Sequence, residues 1–203
     1  MAPSSASVVR LLEAVRQGDA AAQGEMLVRY QPWLGLLARL QIDTQFQGKF
    51  GASDIVQQTL LEACRDLRQF RGRTEAELLA WLRRILAHVL AHEVRRYRGT
   101  QQRDLAREVS LEQSLAQSSQ RLGDLLAAST PSPSQRAVRH EEELLLADVL
   151  SQLPDDYREV IVLRNLEGLS HEEIARRLGR SVAAVRMLWV RALARIRQLI
   201  EAR

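Results

Sequence analysis

The run LPDDYREVIVLRNLEGLSHEEIARRLGRSVAAVRMLWVRALARIRQLI, from Leu153 to Ile200, constrains this chain most, because its local chemistry marks where helices start and stop. Ser170 precedes His171-Glu172-Glu173, so its hydroxyl can cap a helix while Glu173, three residues on, completes a capping box. That helix should end at Leu178, where Gly179 offers a residue free to take a left-handed backbone. Ser181 is a second cap before Val182-Ala183-Ala184 opens the next helix. The spacing predicts helix, tight turn, helix.

In the second of these helices Val185, Leu188, Trp189, Ala192, Ile196 and Leu199 recur near every 3.6 residues and form the inward face. Ala183, Ala184, Met187 and Arg191 point away from it, with Arg180, Ser181 and Arg186 at the margins and Arg195 a turn beyond Arg191. Small alanines let a backbone approach a base edge, and arginines around them can reach phosphate or guanine. The stretch from Glu141 to Glu173 is acidic, whereas only Glu201 interrupts the arginines that follow. The expectation is a one-sided positive surface that attracts nucleic acid in a salt-dependent way. A solvated basic face on an ordinary helical hairpin is the plainer alternative.

With 203 residues, 46% of them hydrophobic and 27% charged, the chain can bury one or two modest cores, and two small domains are expected. Aromatic residues make up only 4%, and no stretch alternates in the β-branched pattern of a strand, so the fold class expected is all-α. The formal net charge of +4 comes from arginine rather than lysine, the better residue for bidentate phosphate and base contacts. Cys64 is the only cysteine, which leaves no disulfide framework or zinc thiolates and fits a reducing, cytoplasmic setting. No apolar run matches a signal peptide or the ~20 residues of a membrane span, so a soluble protein is expected. His88 and His92 lie four apart beside Glu93, but the order lacks the internal glutamate of the zinc-protease motif. With no phosphate-binding glycine loop or strained nucleophile either, neither enzyme activity, metal nor cofactor is expected.

Helical patterns run over about 8–16, 20–40, 53–67 and 75–98, with breaks at Gly18-Asp19, at 47–51 and at Phe70-Arg71-Gly72-Arg73-Thr74. Pro32 predicts a kink or interruption before Trp33. Residues 99–136, polar and ending in the Ser/Pro run 129–134, read as a linker with a transient helix near 111–126. Residues 1–98 and 137–203 are then the two expected domains, and Glu141-Glu142-Glu143 reads as a solvated acidic run. In the first domain Ser53-Asp54 is a plausible cap, with Ile55, Leu60 and Ala63 facing a core and Asp54, Gln57, Gln58 and Leu61 left outside. In the helix over 75–98, Leu78, Leu82, Ile85, Leu86 and Val89 form the buried stripe. Arg84, His88, Ala91, Arg95 and Arg98 share another side, which reads as a second basic face. Phe70 or Trp81 could add a stacking surface, although Trp81 more readily reads as core.

Three segments together resemble a bacterial RNA polymerase sigma factor of the extracytoplasmic-function (ECF) type, in the primary sigma family. GASDIVQQTLLEACRDLRQF (51–70) resembles its polymerase-binding helix, AWLRRILAHVLAHEVRRYRG (80–99) its promoter-melting helix, and the run from Leu153 its fourth region. The resemblance implies that Asp54, Gln57, Gln58 and Leu61 meet core RNA polymerase, and that Arg84, His88, Arg95 and Arg98 follow promoter DNA. It also implies that Arg71, Arg73 and Thr74 capture a base flipped out of the downstream promoter element. Arg180, Ser181, Ala183, Ala184, Arg186, Met187, Arg191 and Arg195 would then bind the upstream element. Many relatives are held by an anti-sigma factor. The chain departs from the pattern at His88 and His92, where relatives often carry Asn and Asp, and at Met187-Leu188, where a Ser-Arg pair is common. A rival reading is a stand-alone helix-turn-helix regulator that binds an operator as a dimer.

Overall fold

The computed structural model describes residues 5–42, 51–98, 105–126 and 135–202, and among these it is helical with no strand. The helices are α1 (Ser5–Arg16), α2 (Ala20–Gln41), α3 (Ala52–Asp66), α4 (Glu75–Arg98), α5 (Leu105–Leu126), α6 (Gln135–Ser151), α7 (Asp155–Ile161), α8 (His171–Leu178) and α9 (Val182–Glu201). Asp19 starts α2, its carboxylate accepting from the Ala21 and Ala22 N–H groups at 2.8 and 3.1 Å. At α3 the cap differs from expectation. Gly51 precedes the helix, Ser53 lies inside it, and Asp54 reaches back to accept the Gly51 N–H at 3.1 Å.

Helix α2 runs without interruption through Pro32. A mid-helix proline costs about 3 kcal/mol, but Tyr30, Trp33, Leu34, Leu36 and Leu37 around it are all buried. Burying one such side chain is worth about 1.5–3 kcal/mol, so the packing outweighs the lost hydrogen bond. α2 is the central element, touching α1, α3, α4, α5 and α6.

Residues 105–126 fall in the span expected to be a linker, yet they form a 22-residue helix that packs on α4 and α6. Leu115 and Leu122 are fully buried and Leu111 half-buried, a stripe one residue wide in which Ser119 occupies an inward position. Helix α6 likewise begins at Gln135, inside the span expected to be linker. The Ser/Pro run 129–134 and most of the 41–50 segment lie outside the described residues.

Buried side chains gather into two clusters. The larger runs from Val8 through Trp33, Leu82 and Leu115 to Leu150, Ala192 and Ile196, and the smaller joins Val160, Leu163, Ile174, Ala175 and Val185. Two carboxylates, Glu75 and Glu143, are sunk beside the larger one among the described residues. Glu75 accepts from the Tyr30 hydroxyl at 2.9 Å and pairs with Arg29 at 3.0 Å; burial first, then the Glu75 charge, pushes the Tyr30 hydroxyl pKa far up. Glu143, expected in solvent, is buried instead: the Trp33 Nε1–H donates to it at 2.5 Å and so does the Ser119 hydroxyl. Arg83 donates to the same hydroxyl at 3.3 Å and lies over the Trp33 ring. The carboxylate tolerates burial because donors from α2 and α5 satisfy it and a guanidinium from α4 lies beside it.

Candidate nucleic-acid interface

The C-terminal hairpin forms as its capping residues require. The Ser170 N–H donates to Glu173 Oε2 at 2.7 Å and the Glu173 N–H to Ser170 Oγ at 3.2 Å, so α8 begins in a closed capping box. The Ser170 N–H first, and then the Ser170 side chain, hold the Glu173 carboxyl below the usual carboxylate range. Gly179 takes φ +61°, a left-handed turn that reverses the chain. The Ser181 hydroxyl then accepts the Ala184 N–H at 3.2 Å and starts α9.

What holds α9 in place is a narrow contact. Val185 packs with Ile174 and Val160, while Ala192 and Ile196 join the larger cluster. The chain from α7 loosens into a wider π-type turn over Val162–Leu166. That turn brings Asn165 to accept the Trp189 Nε1–H at 3.2 Å, with His171 edge-on to the same indole. The opposite side of α9 is left open: Ser181, Ala183, Ala184, Arg186, Met187, Arg191 and Arg195 are all exposed, as is Arg180 in the turn. Arg180 pairs with Asp156 at 2.8 Å and Arg186 with Glu172 at 3.2 Å, both at the surface. Arg191 has no ion pair among the described residues. Val190 and Leu193 were missed by the sequence reading; they sit 53% and 38% exposed beside Met187 and widen the apolar part of this face.

In the first half the expected residues divide. On α3, Gln57, Gln58 and Leu61 are exposed, while Ile55 and Ala63 are buried beneath them. Asp54, also exposed, is engaged at the Gly51 N–H, and Gln58 donates to Glu62 at 3.1 Å. Gln57 borders a groove with Gln31, Pro32 and Gly35 of α2 and Ala147 of α6.

The side of α4 expected to be basic along its length is not open along its length. Arg84 is exposed, but Ala91 is fully buried, and Glu108 of α5 pairs with Arg95 at 3.0 Å and faces His88 at 3.5 Å. Arg98 closes α4, its side chain beyond the described ones. Phe70 is buried against Trp81, ring centroids 5.1 Å apart, and the half-buried Trp81 packs on the core, so Phe70 offers no free face for stacking.

The segment before α4 is fixed from several directions. Glu77 Oε2 accepts from the Arg73 N–H at 2.8 Å, the Thr74 N–H at 2.9 Å and the Thr74 hydroxyl at 2.9 Å. In return, the Glu77 N–H donates to the Thr74 hydroxyl oxygen at 3.2 Å. Those bonds, the Arg73 N–H first, hold the Glu77 carboxyl below its ordinary range. Arg71, Arg73 and Thr74 stay exposed. The Thr74-x-x-Glu77 capping box is legible in the sequence by the same rule that located Ser170 and Glu173, and was overlooked.

Residues 143–196 match the family model for sigma-70, region 4. The chain is 32% identical to the RNA polymerase sigma-H factor of Pseudomonas aeruginosa over 187 residues, covering 90% of this chain and 88% of that protein. It belongs to the ECF-type RNA polymerase sigma factors. The ECF sigma-E factor of Haemophilus influenzae is 31% identical, with 94% of this chain and 92% of that protein covered. A solved structure of CnrH in complex with the cytosolic domain of CnrY is 25% identical over 96% of this chain and 97% of that one, at a TM-score of 0.31. The family match favours a sigma factor over the rival dimeric operator-binding regulator. Among the described residues no helix is long and apolar enough to cross a membrane.

Proposed function

We propose that this sigma factor binds core RNA polymerase through the exposed side of α3, with Asp54, Gln57, Gln58 and Leu61 at the contact. Residues 1–98 then serve the downstream promoter element and residues 137–203 the upstream one, with 99–136 between them. The observation that carries the reading is α9. It is a capped helix whose Ala183, Ala184, Arg186, Met187, Arg191 and Arg195 are exposed, a shape that fits a major groove. Arg180, Arg186, Arg191 and Arg195 supply the phosphate and base contacts there. Arg71, Arg73 and Thr74 hold a base flipped from the downstream element, which traps the open strand and offsets a few kcal/mol of unstacking. Arg84 marks the open part of the α4 path, followed by Arg98.

The chain contributes binding energy and no catalysis, the polymerase supplying the nucleotide chemistry in the cytoplasm. Transcription from promoters recovered with the holoenzyme, run with core polymerase in the presence and absence of the protein, tests this directly. Protein-dependent initiation is expected; initiation unchanged by the protein would overturn the reading.

A further inference from the structure

The loop over residues 70–74 carries two exposed arginines, yet its backbone is pinned from both ends. From the α4 end comes the Glu77 carboxylate, already described. From the other side comes Arg16, the last residue of α1, whose Nη2–H donates to the Gly72 carbonyl and lies 3.5 Å from the Phe70 carbonyl. Between them, Gly72 lies against the Phe70 ring so closely that a methyl at its Cα would come 2.2 Å from the ring edge. Phe70 in turn leans on Trp81. A surface loop normally needs no such bracing; side chains that must meet a partner in one geometry do.

We infer that Arg16 is a positioning residue for promoter opening: from α1 it sets the 70–74 loop in the shape that receives the unstacked base, without touching DNA itself. The inference rests on the proposed role of that loop. A guanidinium suits the task because its terminal Nη2 carries two N–H donors that can face both carbonyls at once. Gly72 belongs to the same device, since only a residue without a side chain lets the backbone lie on Phe70.

The test uses holoenzyme assembled from core polymerase and the full chain, on a template with a pre-opened downstream element taken from a promoter recovered with the wild-type holoenzyme. R16A is expected to weaken binding to this template by about tenfold, the loss of one charge-assisted hydrogen bond, and G72A to weaken it as well, because its methyl group meets the Phe70 ring and shifts the loop. Affinity for core polymerase and for an upstream-element duplex should not change. The salt dependence should also keep its slope, because no phosphate contact is removed. R71A/R73A serves as the control. If that double variant binds normally, the base-capture reading itself fails and the inference falls with it. If it binds weakly while R16A and G72A bind like wild type, the loop matters but the bracing does not. A shallower salt slope for R16A would make Arg16 a phosphate contact, and an equal loss on the upstream duplex would make it a general stabiliser; either overturns the assignment. Thermal unfolding of each free variant separates misfolding from loop effects, and R16A, altering an exposed side chain, is expected to melt with wild type.

Discussion

On α9 the arginine-bearing side is open to solvent, whereas much of the corresponding side of α4 lies under α5. The contrast follows from how much of each helix the core claims. α9 gives up only Val185, Ala192 and Ile196 to full burial, so most of its circumference is surface. α4 buries Leu78, Leu79, Leu82, Leu86, Ala87, Val89, Leu90, Ala91 and Val94, more than one side of a helix can hold, and its cations are confined to the remaining strip. Within that strip Glu108 pairs with Arg95 and faces the His88 ring. A row of basic residues is therefore a binding face only where no neighbouring helix has answered it.

The strongest way to break the contrast is to remove what holds α5 down. Leu115 is fully buried between α4 and its neighbours, and truncating such a side chain costs about 2–5 kcal/mol. L115A should lose stability in that range by denaturant unfolding, and the same for L122A. A change within about 0.5 kcal/mol, typical of surface positions, would mean that α5 does not cover α4 in solution.

Next in size is the open side. R191A removes an arginine that has no ion pair among the described residues, so its effect should read out chiefly on DNA. It should weaken upstream-element binding by about 1–3 kcal/mol if a base contact is lost. R186A should cost less, because Arg186 leaves Glu172 when it turns to DNA. Titrations against the promoter duplex and a scrambled one distinguish the cases: equal loss on both would identify a phosphate contact.

A smaller effect, of opposite sign, is expected on α4. E108Q frees Arg95 and His88 from their shared acid, and the holoenzyme should then bind nonspecific duplex more tightly, with a salt slope steeper by about one. An unchanged slope would show that Glu108 does not screen this side.

These differences also mark what could be read in the sequence. The limits of α2, α4 and α8, the start of α9, the left-handed Gly179 and the cap at Ser181 all follow from short-range chemistry, and all are legible. So was the open face of α9, whose apolar stripe is narrow. α5 was read as a linker with only a transient helix near 111–126 because its stripe of Leu111, Leu115 and Leu122 is diluted by serines and glutamines, and its burial depends on α4 and α6 rather than on its own composition. Glu143 was placed in solvent for the same reason: the Trp33 and Ser119 groups that satisfy it lie 110 and 24 residues away in the chain. Pro32 shows the converse, a strong local signal overridden by the burial around it. The bracing at Arg16 was invisible, since nothing near it in sequence announces a contact with Gly72.

The smallest predicted effect compares the two capping boxes, one beside each proposed DNA contact. Glu173 and Glu77 are both solvent-exposed carboxylates held below their ordinary value of 4.5 by hydrogen bonds from backbone and side-chain donors. A carboxylate whose folded pKa is depressed adds stability that is complete above its unfolded value and is lost as the pH falls through the folded one. Glutamine keeps an acceptor for the same N–H groups but carries no charge. The stability gap between wild type and E173Q, followed by denaturant unfolding, should therefore be constant near neutrality and close as the pH drops below about 4.5. E77Q should show the same closing gap. It should also reduce binding to the pre-opened template, because its three bonds fix the 70–74 loop, whereas E173Q should act only on the upstream element. A gap for E173Q that persists unchanged into acid would mean that the charge on Glu173 does not matter and that the hydrogen bonds alone make the cap.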